Sequence, residues 1–275
     1  MSSATTTTPV TASRLAASRL NDVVLDSRVM IRRGLIRSAR DPEAFFTALA
    51  LPVALMLLFV YVFGGAMSTG GAYVDYVVPG IILLCAGFGA GTTAVAVADD
   101  MTNGIVDRFR SMPIAAGSVV VGHVVASVAR NAIATALVIG VALLIGWRPD
   151  AGVAEWVAAI GLLALFVLAI SWLAATVGLL ARSKDAANAF TMVLAFLPYV
   201  STAFVPADTL PTALRGFAEH QPMTPVIETL RSLWMGSGTT DQVVGTQAWW
   251  ALGWCALILV VSAVASARLF RRRTA

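Results

Sequence analysis

Six long apolar runs constrain this chain more than any other feature of it. They lie near Phe45–Phe63, Tyr76–Ala98, Val119–Gly146, Trp156–Leu180, Ala189–Val205 and Ala248–Ala267. A helix needs about 20 apolar residues to cross the hydrocarbon core of a bilayer. Inside that core only a helix or a closed barrel satisfies its own backbone amides. The expected fold class is therefore all-α, a polytopic membrane protein with six transmembrane helices. Pro52 interrupts the first run and Pro198 lies in the fifth, which is the shortest. Both predict kinks rather than breaks, because neighbouring helices can satisfy the freed carbonyls.

Composition agrees. Of 275 residues, 58% are hydrophobic and only 12% charged, and the mean hydropathy is +0.82. A soluble domain has about 45–50% apolar residues and about a quarter charged. Cys85 and Cys255 both sit inside apolar runs without metal-ligand spacing, so packed thiols are expected rather than a disulfide or a metal site.

The net charge of +4 does not point to nucleic acid, because the basic residues are placed as a topology signal. With the amino terminus in the cytoplasm, fifteen of the 19 arginines and lysines face inward. Arg148, Arg215 and Arg231 face outward, and Arg130 lies within a span. The positive-inside rule then puts both termini in the cytoplasm and the protein in the plasma membrane as a multi-pass chain. Trp147, Trp156, Trp249 and Trp250 fall at the outer interface, where an aromatic belt is expected.

Three regions follow. Residues 1–19 are small and polar without a signal-peptide pattern, and are expected as a disordered cytoplasmic tail. Residues 20–40 place Leu20, Val23, Val24, Met30, Ile31 and Leu35 on one helical face, with five arginines lying mostly elsewhere. That suits an interfacial amphipathic helix against anionic headgroups, although Leu25, Val29 and Ile36 spoil its polar face. Residues 41–275 form the six-span domain.

Between the second and third spans lies a polar island, Asp99 to Ser118, with three acids and two arginines. Ile105 to Met112 reads as a short helix that Thr102 or Asn103 caps and Pro113 stops. Ile105, Phe109 and Met112 share one apolar stripe. Such an element is either a solvated loop or a helix that docks into a groove on a soluble partner, and the stripe favours docking.

The last outer segment, Pro206 to Thr246, is long but not simply polar. Thr224–Pro225 reads as a cap and first turn, with the helix running to Met235 and Gly236 as its stop. That helix is apolar over much of its surface and too short to span, so a half-helix dipping into the outer leaflet fits better than a free loop. Glu228 and Arg231, at i and i+3, can pair on it.

No catalytic constellation is present in the sequence. His123 and His220 fall on opposite sides of the membrane, and Glu219–His220 reads as an exposed outer pair. GFGAG at Gly87–Gly91 sits mid-span with no GK[ST] after it, so close helix packing is expected rather than phosphate binding. No Walker motif occurs, and the chain is not expected to be an enzyme or to bind a cofactor or metal itself. Arg130 and Asn131 are the intramembrane polar pair. An arginine there should face a cavity, a helix interface or a partner, and either a structural hydrogen bond or a substrate contact would account for it.

Two blocks carry a resemblance. DDMTNGIVDRFRSMPIAAG (Asp99–Gly117) resembles the acidic–x–x–x–G–x–x–x–R–x–x–x–x–P signature of ABC exporter permeases of the type-2 class. AEHQPMTPVIETLRSLWMG (Ala218–Gly236) resembles their second block, H-Q-P-x-T-P…E-x-x-R-x-L-x-x-G. The chain is most similar to the daunorubicin-exporter-like branch, and departs from it in carrying Asp99–Asp100 where many relatives have Glu-Arg-Glu. The resemblance implies a permease subunit that pairs with a second permease copy, as homo- or heterodimer, and with a cytoplasmic ABC ATPase that binds ATP and Mg. It implies that Asp100, Gly104, Arg108 and Pro113 shape a coupling helix at Ile105–Met112. It implies that His220, Pro222, Thr224, Pro225, Glu228, Arg231 and Gly236 shape an outer re-entrant helix. The expected cargo is an amphipathic drug, antibiotic or lipid-like compound, with polysaccharide or lipid export as the alternative. A secondary transporter is the rival reading, disfavoured because neither intramembrane carboxylates nor inverted repeats are found.

Overall fold

A computed structural model describes residues 28–29, 31–32, 36, 42–66, 72–103, 118–236 and 241–274. Among the described residues every regular element is helical. In chain order these are α1 (Pro42–Leu58) with a π-helical turn at Phe59–Phe63, α2 (Tyr73–Thr102), α3 (Ser118–Leu144) and α4 (Val153–Leu180). Then come α5 (Lys184–Phe196), α6 (Thr212–His220), α7 (Met223–Met235) and α8 (Asp241–Thr274), with short 3-10 turns at Leu197–Val200 and Ala207–Thr209. The tail at 1–19 lies outside the described residues. So does most of 20–40, where Arg28, Val29, Ile31, Arg32 and Ile36 are helical and Val29 and Ile36 exposed.

Four helices are long and apolar enough to cross a membrane: Tyr73–Thr102, Val119–Leu144, Val153–Leu180 and Gly245–Leu269. The first apolar run is helical straight through Pro52, and its apolar part, Leu49–Phe63, is shorter. The fifth run differs from the expected Ala189–Val205. Its helix begins earlier, at Lys184, and ends at Phe196, about 20 Å long. Pro198 has no amide to donate to the helix, and the chain tightens there into the 3-10 turn.

Helix α2 is the axis of the fold, and every residue from Val77 to Gly87 is buried. It packs against α1, α3, α4, α5 and α7. Small residues let the backbones approach, as GFGAG predicts. A Cβ at Gly91 would overlap the Thr191 side chain on α5, and one at Gly89 would overlap the Asn131 amide on α3. Helix α2 is also a turn longer at each end than the expected Tyr76–Ala98. Thr102 therefore belongs to α2, its hydroxyl donating back to the Ala98 carbonyl at 3.0 Å. The Asn103 amide closes α2 onto the Asp99 carbonyl.

Buried polar side chains tie the helices across this apolar packing. The Ser127 and Ser171 hydroxyls join α3 to α4 at 2.9 Å. The Trp172 indole donates to Ser266 and the Thr176 hydroxyl to the Ser262 carbonyl, which join α4 to α8. Cys85 and Cys255 are buried free thiols. Much of the outer face is apolar and exposed, including Phe46, Tyr61, Ile133, Leu144, Val157 and Val260, as lipid or partner helices require.

Candidate functional site

Three polar groups stand out, at the two ends of α2 and in its middle. At the Asp100 end, two neighbouring acids are each held by a different helix. Asp100 is buried, and its Oδ2 lies 3.0 Å from Nε2 of His123 on α3. Asp99 Oδ1 lies 2.7 Å from the Lys184 ammonium at the start of α5. That start is fixed by Ser183, whose Oγ accepts the Ala186 amide at 3.1 Å in an N-cap. The Asn103 side chain also donates to Asp99 Oδ1. The chain entering residue 104 is thus tied to α3 and α5 at once. Gly104, Ile105, Arg108, Phe109, Met112 and Pro113 lie outside the described residues. Sequence reading singled out Asp100 but neither His123 nor Lys184 as partners, since nothing local links residues 23 and 85 positions apart in the chain.

In the middle of α2, Arg130 donates to the Thr93 hydroxyl at 2.9 Å, a helix-to-helix hydrogen bond. Asn131 beside it is fully buried. Its Nδ2 donates to the Ser127 carbonyl at 3.1 Å, while its Oδ1 has no hydrogen-bond partner among the described residues.

The other end of α2 meets α7. Helix α7 buries Met223, Val226, Ile227, Leu230 and Trp234, and ends at Gly236, whose φ of +73° is the left-handed stop expected there. Its start departs from expectation: Pro222 precedes it without a side-chain cap, and Thr224 lies inside the first turn. The Thr224 hydroxyl donates to the Ala218 carbonyl of α6 and stitches the α6–α7 corner instead. Gln221 in that corner donates to the Leu197 and Val200 carbonyls. On α6, Arg215 pairs with Glu219 at 2.9 Å, and His220 is exposed with Nδ1 2.9 Å from the Gly216 carbonyl.

Arg231 is the clasp of this end. Its Nη1 lies 2.6 Å from Glu228 Oε1, so the i, i+3 pair forms. Its Nη2 donates at 3.0 Å to the carbonyls of both Tyr76 and Thr202. Trp147 is another departure. It is wholly buried, its ring 5.2 Å from that of Trp234 in an edge contact, with Trp156 completing the cluster. The Trp147 amide donates to the Ala142 carbonyl, turning the chain back so that the indole packs on α7 rather than facing headgroups. Trp249 and Trp250 stay exposed.

Beside this clasp is a cavity of about 690 Å³ between α6, α7 and α8, whose lining includes Thr202, Glu219, His220, Glu228, Trp250 and Trp254. Asp100 and Tyr76 are about 36 Å apart along α2, so the two ends are separate sites joined by one rigid helix.

A family model described as ABC-2 type transporter matches residues 27–235, well over half of the chain. The chain belongs to the ABC-2 type transporter family. Among its relatives is the daunorubicin resistance ABC transporter permease protein DrrB1 of Streptomyces coeruleorubidus. It is 26% identical over 233 residues, which cover 84% of this chain and 78% of the relative. The probable doxorubicin resistance ABC transporter permease protein DrrC of Mycobacterium tuberculosis is 26% identical over 251 residues, 90% of this chain and 89% of the relative. This ABC-2 protein is the membrane permease subunit of an ABC exporter. Permeases of the family work with a cytoplasmic ATPase on a separate chain, and the several apolar helices make this one a multi-pass membrane protein.

Proposed function

We propose that this permease exports an amphipathic drug or antibiotic, driven by an ATPase that docks on residues 104–117. The observation that carries the coupling reading is the double tether at Asp99 and Asp100. A push on the following segment moves the end of α2, and the Lys184 and His123 contacts move α5 and α3 with it. ATP binding must favour one arrangement of these helices over another, since a partner that contacts both alike shifts nothing. Ile105, Phe109 and Met112 supply the docking stripe, Gly104 and Pro113 bound it, and Arg108 supplies charge. ATP and Mg belong to the partner, and this chain needs no cofactor of its own.

On this reading both termini are cytoplasmic and the chain crosses six times. Helix α1 makes the first crossing, and α5 with its 3-10 turn the fifth. The placement of the basic residues supports that orientation. Residues 20–40 lie in the inner membrane surface, residues 1–19 form a cytoplasmic tail, and 41–275 are the permease domain. Helix α7, with Pro222, Thr224, Pro225, Glu228, Arg231 and Gly236, enters the outer leaflet as a re-entrant helix preceded by His220. A second permease copy completes the transporter, and Arg130 and Asn131 hold α2 against α3 in the membrane interior. The drug-resistance names of the two relatives support a drug-like cargo over a lipid or polysaccharide.

The test is Phe109→Asp, assayed for membrane insertion and for co-purification of the ATPase. The reading predicts normal insertion with loss of the ATPase. Unchanged co-purification overturns the docking assignment.

A further inference from the structure

The cavity at the Arg231 end is built from two facing stripes of unlike chemistry. On α7, Thr224, Glu228 and Ser232 recur every four residues, a single helical face, and all three line it. On α8, Gln247, Trp250 and Trp254 recur at i, i+3 and i+7 and line the opposite side. Helix α6 closes one edge with Glu219 and His220. Among the described residues the lining therefore holds two carboxylates and two indoles but no lysine or arginine. Arg215 and Arg231, which pair with those carboxylates, are not among the residues that line it. Each pair engages Oε1 alone, so the Oε2 of Glu219 and of Glu228 has no protein partner among the described residues.

The volume lies within the roughly 300–1,000 Å³ of ordinary small-molecule pockets. Half-exposed tryptophan faces attract a cation electrostatically while covering apolar surface, and a carboxylate oxygen adds the counter-charge.

We propose that this cavity is a binding site for an organic cation with an apolar, aromatic-sized body, held between Trp250 and Trp254 and the carboxylates of Glu219 and Glu228. The binding itself stands on the cavity. Its place on an export path rests on the exporter reading above and names the class of cargo for it.

The test uses the purified full-length permease in detergent, without ATPase, and equilibrium dialysis with tetraphenylphosphonium. Tetraphenylborate, equal in shape and opposite in charge, is the comparison. The proposal predicts saturable binding of the phosphonium at least tenfold tighter than any saturable binding of the borate. Glu219→Gln and Trp250→Ala should each weaken it about tenfold. Both positions are exposed enough for the fold to survive, and Trp249→Ala, next to Trp250 but outside the lining, should leave binding unchanged. Equal affinity for the two ions, no saturable binding, or equal losses at Trp249 and Trp250 would overturn it. Because the ATPase is left out, such a failure leaves the coupling reading untouched, and loss of ATPase docking leaves the cavity untouched.

Discussion

The Arg231 guanidinium lies 3.7 Å above the centre of the Tyr76 ring and donates to the carbonyl of the same residue. One side chain of α7 thereby grips the first turn of α2 through charge, ring and backbone together. Tyr73, one turn earlier, donates its hydroxyl to the Phe204 carbonyl at 2.8 Å, so the segment before α6 is fastened to α2 as well. This end is thus fastened as a unit to the axis of the fold.

Arginine is required there for its fork and not for its charge alone. Arg231→Lys loses the planar stack and at least one carbonyl contact, and hydrogen bonds to charged groups contribute about 1.5–3 kcal/mol each. The midpoint of thermal unfolding in detergent should fall by roughly 5 °C. The exchange Glu228→Arg with Arg231→Glu should not restore it, because a carboxylate at 231 would face the carbonyls of Tyr76 and Thr202. Recovery in the double variant would show that the ion pair alone matters.

At the opposite end, Lys184 is 56% exposed, so its pair with Asp99 contributes little to stability, at most about 1 kcal/mol. On the proposed coupling path its role is mechanical. Lys184→Asp should leave expression, melting and ATPase docking unchanged while lowering transport several-fold. The exchange Asp99→Lys with Lys184→Asp should recover most of it. Transport in membrane vesicles is the readout, and wild-type transport in Lys184→Asp would remove α5 from the coupling path.

Close packing makes a third case. The three atoms nearest to a Cβ at Gly89 all belong to the Asn131 side chain. Gly89→Ala should destabilise by about 1–3 kcal/mol through overpacking. Gly89→Ala with Asn131→Ala should recover most of that loss, since the obstructing amide is gone. Thermal melts of the two single variants and the double variant measure the coupling, and additive losses would contradict the contact.

What the sequence made legible was local. The apolar runs mark the helices because a bilayer-length stretch without charge has few alternatives. The α7 helix was readable from its ends, Pro225 in the first turn and Gly236 as the stop. GFGAG was readable as packing because small residues admit a neighbouring backbone. Trp147 misled, because the amphipathic ring that suits a headgroup layer also suits a buried aromatic cluster, and only the turn after α3 decides between them. Thr224 misled in the same way, its hydroxyl serving the α6–α7 corner instead of the helix start. Glu228 could be read from its i, i+3 spacing to Arg231, but Lys184, His123, Tyr76 and Thr202 meet Asp99, Asp100 and Arg231 from distant parts of the chain, 155 residues away for Tyr76. No spacing rule reaches them. The cavity was invisible for the same reason, since each of its stripes reads alone as an ordinary helix face.

The most direct measurement is an affinity pull-down of the full-length protein from detergent-solubilised native membranes, with the co-purifying chains identified and their stoichiometry measured. The account predicts a P-loop ATPase in equimolar ratio to the permease, lost when Phe109 is changed to aspartate. A clean permease with no ATPase, under conditions where it stays folded and inserted, would contradict it.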